Sequence, residues 1–89
     1  MRETRVTIVN RLGLHARAAG KFVNLAKTFS SEIALANETE EVDAKSIMGV
    51  MLLAAPVGTE LSLKVSGADE DEAADALIQL IADRFGEED

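Results

Sequence analysis

Eighty-nine residues with no cysteine suit one domain of modest core, which packing alone has to hold because no disulfide can form. The apolar fraction of 47% is that of a folded chain, and with three phenylalanines as the only aromatics the interior falls to aliphatic and alanine side chains. A net charge of −7 opposes a phosphate backbone, so general nucleic-acid binding is excluded, and no apolar run approaches the roughly 20 residues that cross a bilayer.

Residues 3–10 read as a first strand, in which Val6 and Ile8 alternate with Thr7 and Val9. Arg11-Leu12-Gly13-Leu14 makes a short loop, and from Ala16 to about Lys27 the residues Ala16, Ala19, Phe22, Val23 and Ala26 recur at helical spacing. His15, the only histidine, therefore stands at the helix entrance. Glycine inside a helix costs roughly 1 kcal/mol relative to alanine, so Gly20 marks a close approach, of the sheet beneath or of a partner above. Thr28 to Ser31 ends the helix, and Glu32 to Ala36 is a second strand with Ile33 and Leu35 on one face. Asn37-Glu38-Thr39 has turn chemistry, after which the acidic Glu40 to Asp43 pairs back as a hairpin; its charge suits an edge strand.

Ser46 is an N-cap candidate for a short helix from Ile47 to about Leu53. That helix is apolar nearly all round, yet a helix on a sheet buries only one side. Ile47, Met48 and Met51 are expected to form an exposed patch beside His15, with Gly49 permitting close approach; the competing account makes Met48 and Met51 core filler. Pro56 ends the helix and Gly58 opens a strand over Glu60 to Val65, with Leu61, Leu63 and Val65 inward and Ser62 and Lys64 outward. After Ser66-Gly67-Ala68, Asp69 with Glu72 resembles a capping box, and Ala74, Leu77, Ile78, Ile81 and Phe85 supply the buried stripe of a last helix. Its acidic start reads as a solvated cap and not a metal site, because neighbouring acids splay around the axis. The order is βαββαβα, a two-layer α+β sandwich with an antiparallel sheet whose second face is left to solvent.

The chemistry gathers at His15. The first turn of a helix presents unpaired N–H groups, here those of Ala16 and Arg17, and a partial positive charge that attracts an anion; the Arg17 guanidinium adds a full one. The same field disfavours an imidazolium and leaves a ring nitrogen as a nucleophile toward a phosphoryl group, whose dianion the amides and guanidinium would then stabilise without a metal. Position alone leaves open an ordinary capping or surface histidine. Charge distribution adds to the first reading: residues 1–27 hold six bases and one acid, net +5, while the other 62 hold three bases and fifteen acids, net −12. An acidic partner would be steered to the His15 end.

Gly13-Leu14-His15-Ala16-Arg17 closely resembles the active-site signature of the HPr family, the histidine-containing phosphocarriers of the bacterial phosphoenolpyruvate-dependent phosphotransferase system. Lys45-Ser46-Ile47-Met48-Gly49-Val50-Met51 resembles the family's serine segment at the family's spacing. With Ser66-Gly67-Ala68-Asp69 and the acidic last helix, the resemblance spans essentially the whole chain, an HPr-like domain over residues 1–89. One departure is Ala18, where the family usually has proline; both residues are tolerated in a first turn, but the alanine holds the helix entrance less rigidly.

The resemblance implies an open-faced sandwich of sheet order 1-4-2-3 with three helices on one face. It further implies that His15 accepts a phosphoryl group at Nδ1 from Enzyme I, with Arg17 stabilising charge, and passes it to Enzyme IIA domains. That role is a stoichiometric carrier and not an enzyme, and the sequence agrees: it has no GxxxxGK loop, no cysteine nucleophile, no paired carboxylates and no evident cofactor site. Docking is expected over Ala16, Arg17, Gly20, Lys21, Asn24 and Lys27 together with Ile47, Met48, Gly49, Met51 and Leu52. Ser46 is the implied site of regulatory phosphorylation by an HPr kinase/phosphorylase, in organisms that have one, and its phosphorylated form would engage a transcription regulator. Two alternatives stay open: a regulatory binding module, and a nitrogen-type carrier that signals and does not feed sugar uptake. A monomer is expected, and with no signal peptide visible, the cytoplasm.

Overall fold

The computed structural model describes residues 1–88. In chain order it runs β1 (Arg2–Thr7), α1 (Ala16–Ala26), β2 (Glu32–Ala36), β3 (Glu41–Asp43), α2 (Ile47–Leu52), β4 (Glu60–Ser66) and α3 (Glu70–Ala82), and closes in a tight turn over residues 84–86. The four strands form one antiparallel sheet ordered β1-β4-β2-β3. This is the expected α+β open-faced sandwich. Its register follows the period-2 pattern: Val6 opposes Leu61, and Leu35 opposes Leu63, all four buried. One residue out of step, Glu3 opposes Lys64 on the solvent face, where Lys64 reaches Glu41 at 2.7 Å. A one-residue slip would exchange these two sets, so the pattern allows only this pairing.

The helices cover the other face through a core in which Phe22, Phe85, Leu61, Leu63 and Leu77 are fully buried. Charged side chains fasten the layers at the rim. Arg2 reaches Asp75 of α3 at 2.7 Å, and the Lys45 ammonium donates to the Phe29 carbonyl just past α1 at 2.8 Å. β1 ends at Thr7 and not at residue 10, yet its ladder continues by backbone bonds, Ile8 N–H to the Thr59 carbonyl and Gly58 N–H to the Ile8 carbonyl.

Local expectations are corrected or narrowed at four places. Asp69 precedes α3 but makes no capping bond to it; its carboxylate accepts from the Ser30 and Ser31 amides at 2.9 Å each, and from the Ser31 hydroxyl. Phe85 is buried, but from a left-handed turn beyond α3, with φ values of 59°, 55° and 79° at Arg84, Phe85 and Gly86. Gly20 does not approach the sheet: a Cβ there would meet only Ile47 Cδ1, at an ordinary 3.9 Å. Gly49 turns its bare side to β3, where a Cβ would lie 3.2 Å from Val42 Cβ and 3.4 Å from the Asp43 carbonyl. Within the molecule, the approach that Gly49 permits is thus that of α2 to β3.

Candidate functional site

His15 is the N-cap of α1, with φ −79° and ψ 178°, and its side chain makes no capping bond to the helix. The extended conformation points the chain into the helix while the imidazole stays at its mouth, 30% exposed. Three links set it there. Gly13, with φ 71°, packs so closely on the strand-opening loop that a Cβ would sit 2.6 Å from the Ala55 carbonyl oxygen, and only glycine meets both demands. The next amide, of Leu14, donates to that same carbonyl at 2.8 Å, and the His15 amide turns back to the Gly13 carbonyl at 2.9 Å.

Asn10 completes the loop from inside. It is fully buried, and its Nδ2 donates to the Gly13 carbonyl at 2.7 Å and to Glu87 Oε1 at 2.9 Å. The other carboxylate oxygen of Glu87, Oε2, is hydrogen-bonded to His15 Nε2. The Glu87 carboxyl is held below the usual carboxylate range, first by the Asn10 amide and then by His15. Neither Asn10 nor Glu87 was singled out by the sequence. Asn10 sits in the strand-to-loop stretch as a polar residue with no pattern of its own, and Glu87 is one acid in the terminal run Glu87-Glu88-Asp89. The setting expected from sequence, amides and cations alone, is corrected by this carboxylate.

His15, Arg17, Arg11, Leu12, Glu87 and Glu88 line one open depression. Arg17 is exposed, and among the described residues no ion pair or hydrogen bond engages its guanidinium. At the second position of α1 it lies in the turn whose amides, including those of Ala16 and Arg17, lack intrahelical acceptors.

The remaining expected residues fall on two neighbouring surfaces. Along α1, Ala16, Asn24 and Lys27 are exposed and Gly20 is half-buried. Lys21 is exposed as well, and its ammonium donates to the Phe85 carbonyl at 2.7 Å. On α2, Ile47, Met48, Met51 and Leu52 are 42%, 78%, 41% and 69% exposed and share a shallow apolar depression. Core filling is therefore not the role of the two methionines; Val50 takes the inner side. Ile47 links the two surfaces by facing Gly20. Ser46 caps α2, its hydroxyl accepting from the Gly49 amide at 3.2 Å.

Residues 2–83 match the protein-family model PTS-HPr, described as the PTS HPr component phosphorylation site. The chain belongs to the HPr phosphocarrier family of the phosphotransferase system. It is 53% identical over 87 residues to a phosphocarrier protein HPr of Cupriavidus necator, with 98% of each chain covered. The crystal structure of HPr-C-His from Thermoanaerobacter tengcongensis matches it with a TM-score of 0.95 at 46% identity, covering 99% of both chains. An HPr dimer from the same organism matches with a TM-score of 0.79 at 46% identity over 98% of this chain and all of that one.

Proposed function

We propose that this HPr-family chain carries a phosphoryl group on His15, taken from phosphorylated Enzyme I and passed to an Enzyme IIA domain. The observation that carries the reading is the placement of a partly exposed imidazole at the entrance of α1, in one depression with Arg17. Transfer through a loose, in-line transition state asks for alignment and charge stabilisation, and the first-turn amides and Arg17 can give both. The acceptor atom in the family is Nδ1, which fits an imidazole whose Nε2 is already engaged. Docking over Ala16, Gly20, Asn24, Lys27 and the apolar face of α2 would seat both partners, with Lys21 contributing charge from the edge. Such a carrier acts stoichiometrically, in the cytoplasm and as a monomer, because the docking face has to be open. Light scattering on the purified chain separates this from a dimer like that of the Thermoanaerobacter relative.

Incubation with phosphoenolpyruvate and Enzyme I is expected to give an acid-labile label, the mark of phosphohistidine. His15→Ala should fold normally and take up none. Labelling that persists in this variant would refute the assignment.

Ser46 is proposed as a second, regulatory phosphorylation site. Its hydroxyl already points to the Gly49 amide, so a dianion there would meet the positive end of α2 without unfolding it. The kinase would be an HPr kinase/phosphorylase, and the modified face would engage a transcription regulator. A nitrogen-type carrier is the second reading, favoured by Ala18. This residue is fully buried in the first turn of α1, where the family's usual proline would stiffen the His15 entrance.

A further inference from the structure

We infer that Glu87 is a positioning residue of the phosphoryl-accepting site: clamped by Asn10, its carboxylate takes the Nε2 proton of His15 as a hydrogen bond and so presents Nδ1 with its lone pair. This rests on the carrier reading of His15 and adds what chooses the reactive nitrogen.

Among the described residues, each oxygen of Glu87 has one partner. Oε1 accepts from Asn10 Nδ2 at 2.9 Å, and Oε2 faces His15 Nε2. An ionised carboxylate only accepts, so the nitrogen that meets it must carry the proton, and in a neutral imidazole the other nitrogen is then unprotonated. The carboxyl stays ionised because the Asn10 amide, and after it His15, hold it below its ordinary range.

The clamp is built and not incidental. Asn10 is buried with no exposed surface, and one amino group on its side chain ties both the Gly13 carbonyl and Glu87. The chain reaches this place only by passing Arg84 and Phe85 through a left-handed conformation that such residues rarely adopt. Phe85 is fully buried, and its carbonyl is held by Lys21 at 2.7 Å. Strain of this kind persists where the surroundings impose it, and it gathers at working sites.

The transfer step balances with this arrangement. The Nδ1 lone pair forms a bond to phosphorus while the bond between phosphorus and the donor atom breaks and returns its electron pair to that donor atom. The Nε2 proton stays where it is. The positive charge that the His15 ring gains is then offset by the Glu87 carboxylate on the edge opposite the phosphoryl group.

Glu87→Gln is the discriminating variant. With its carbonyl oxygen kept on Asn10, the new amide turns an NH2 group to the ring; this group only donates, so Nε2 must offer its lone pair and the proton moves to Nδ1. Nitrogen-15 chemical shifts of His15, read on the neutral ring in the full chain, are expected to report the Nε2–H tautomer in the unaltered protein and a shift toward Nδ1–H in Glu87→Gln. Backbone amide spectra check that the fold is kept. The rate of phosphoryl uptake from phospho-Enzyme I should fall by about tenfold or more, as when the outer partner of a working histidine is lost. An unchanged tautomer, or an unchanged rate, would overturn the role of Glu87. Labelling of His15→Ala would instead overturn the carrier reading, and the tautomer measurement on Glu87→Gln would still decide what Glu87 does.

Discussion

At the scale of single residues, two charges that share the depression with His15 are held differently. Glu87 touches the imidazole and Asn10, whereas Arg17 lines the depression with its guanidinium engaged by no described neighbour. A side chain kept in solvent in this way loses little by waiting for an anion and gains most when charge builds on the transferring phosphoryl oxygens. Arg17→Ala is therefore expected to lower the rate of transfer at saturating Enzyme I by more than it raises the half-saturating concentration of Enzyme I. Steady-state kinetics with Enzyme I as the varied partner resolves the two; equal losses in both would make Arg17 a docking contact only. The sequence made His15 and Arg17 legible because a strand pattern passes into a helix pattern at residue 15. Glu87 was not legible. Its approach depends on three consecutive left-handed residues and a buried amide 77 positions away in the chain, and no periodicity encodes either.

At the scale of elements, the apolar spacing settled where the strands and helices lie, and their ends were decided by tertiary contacts. α3 shows this most plainly. Its stripe of Ala74, Leu77 and Ile81 is buried as expected, but α3 stops at Ala82 and Phe85 reaches the core from the left-handed turn. Left-handed backbone costs about 1–2 kcal/mol at each of Arg84 and Phe85. Burial of one phenylalanine contributes about 1.5–3 kcal/mol, and a hydrogen bond such as that from Lys21 about 1 kcal/mol more. The two sides are close, so the tail is held by its anchors and not by its own conformation. Gly20 in α1 presents the opposite case, a local cost with no internal requirement, since the space above it accepts a Cβ at 3.9 Å from Ile47 Cδ1. Gly20→Ala is expected to raise the free energy of unfolding by about 0.5–1 kcal/mol, read as a higher urea midpoint at unchanged slope. If partner docking weakens in the same variant while stability rises, the glycine is kept for the partner's approach between α1 and α2. A loss of stability would mean that α1 and α2 lie closer than they do here.

At the scale of the whole molecule, charge pulls in two directions as the pH falls. The net charge of −7 arises from a surplus of acids outside the first 27 residues, and protonating acids of like sign relieves their mutual repulsion. Three carboxylates work against that trend because each closes a junction between elements. Asp69 joins the turn before β2 to the start of α3, and its carboxyl lies at about 2, down from 3.8, chiefly through the Ser31 hydroxyl and then the Ser30 amide. Glu70 is lowered by the N-terminal ammonium, 3.0 Å away, and by the Gly67 amide, and Glu87 by Asn10 and His15. A group whose folded value lies below its unfolded one stabilises the fold fully above the unfolded value, and that contribution is lost as the pH falls through the folded one. For Asp69 the window therefore runs from just above pH 3.8 down to about 2. Comparison of the unaltered chain with Asp69→Asn isolates this junction from the general relief of repulsion, because the other acids titrate alike in both. The substituted amide keeps one acceptor oxygen but turns its NH2 group toward either the Ser30 amide or the Ser31 amide and hydroxyl, so the variant should be the less stable of the two at neutral pH. The difference between their urea midpoints should then close steadily between about pH 4 and about pH 2. A difference that stays constant across that interval would show that the Asp69 charge contributes nothing and that its hydrogen-bonding shape alone holds α3 to the loop.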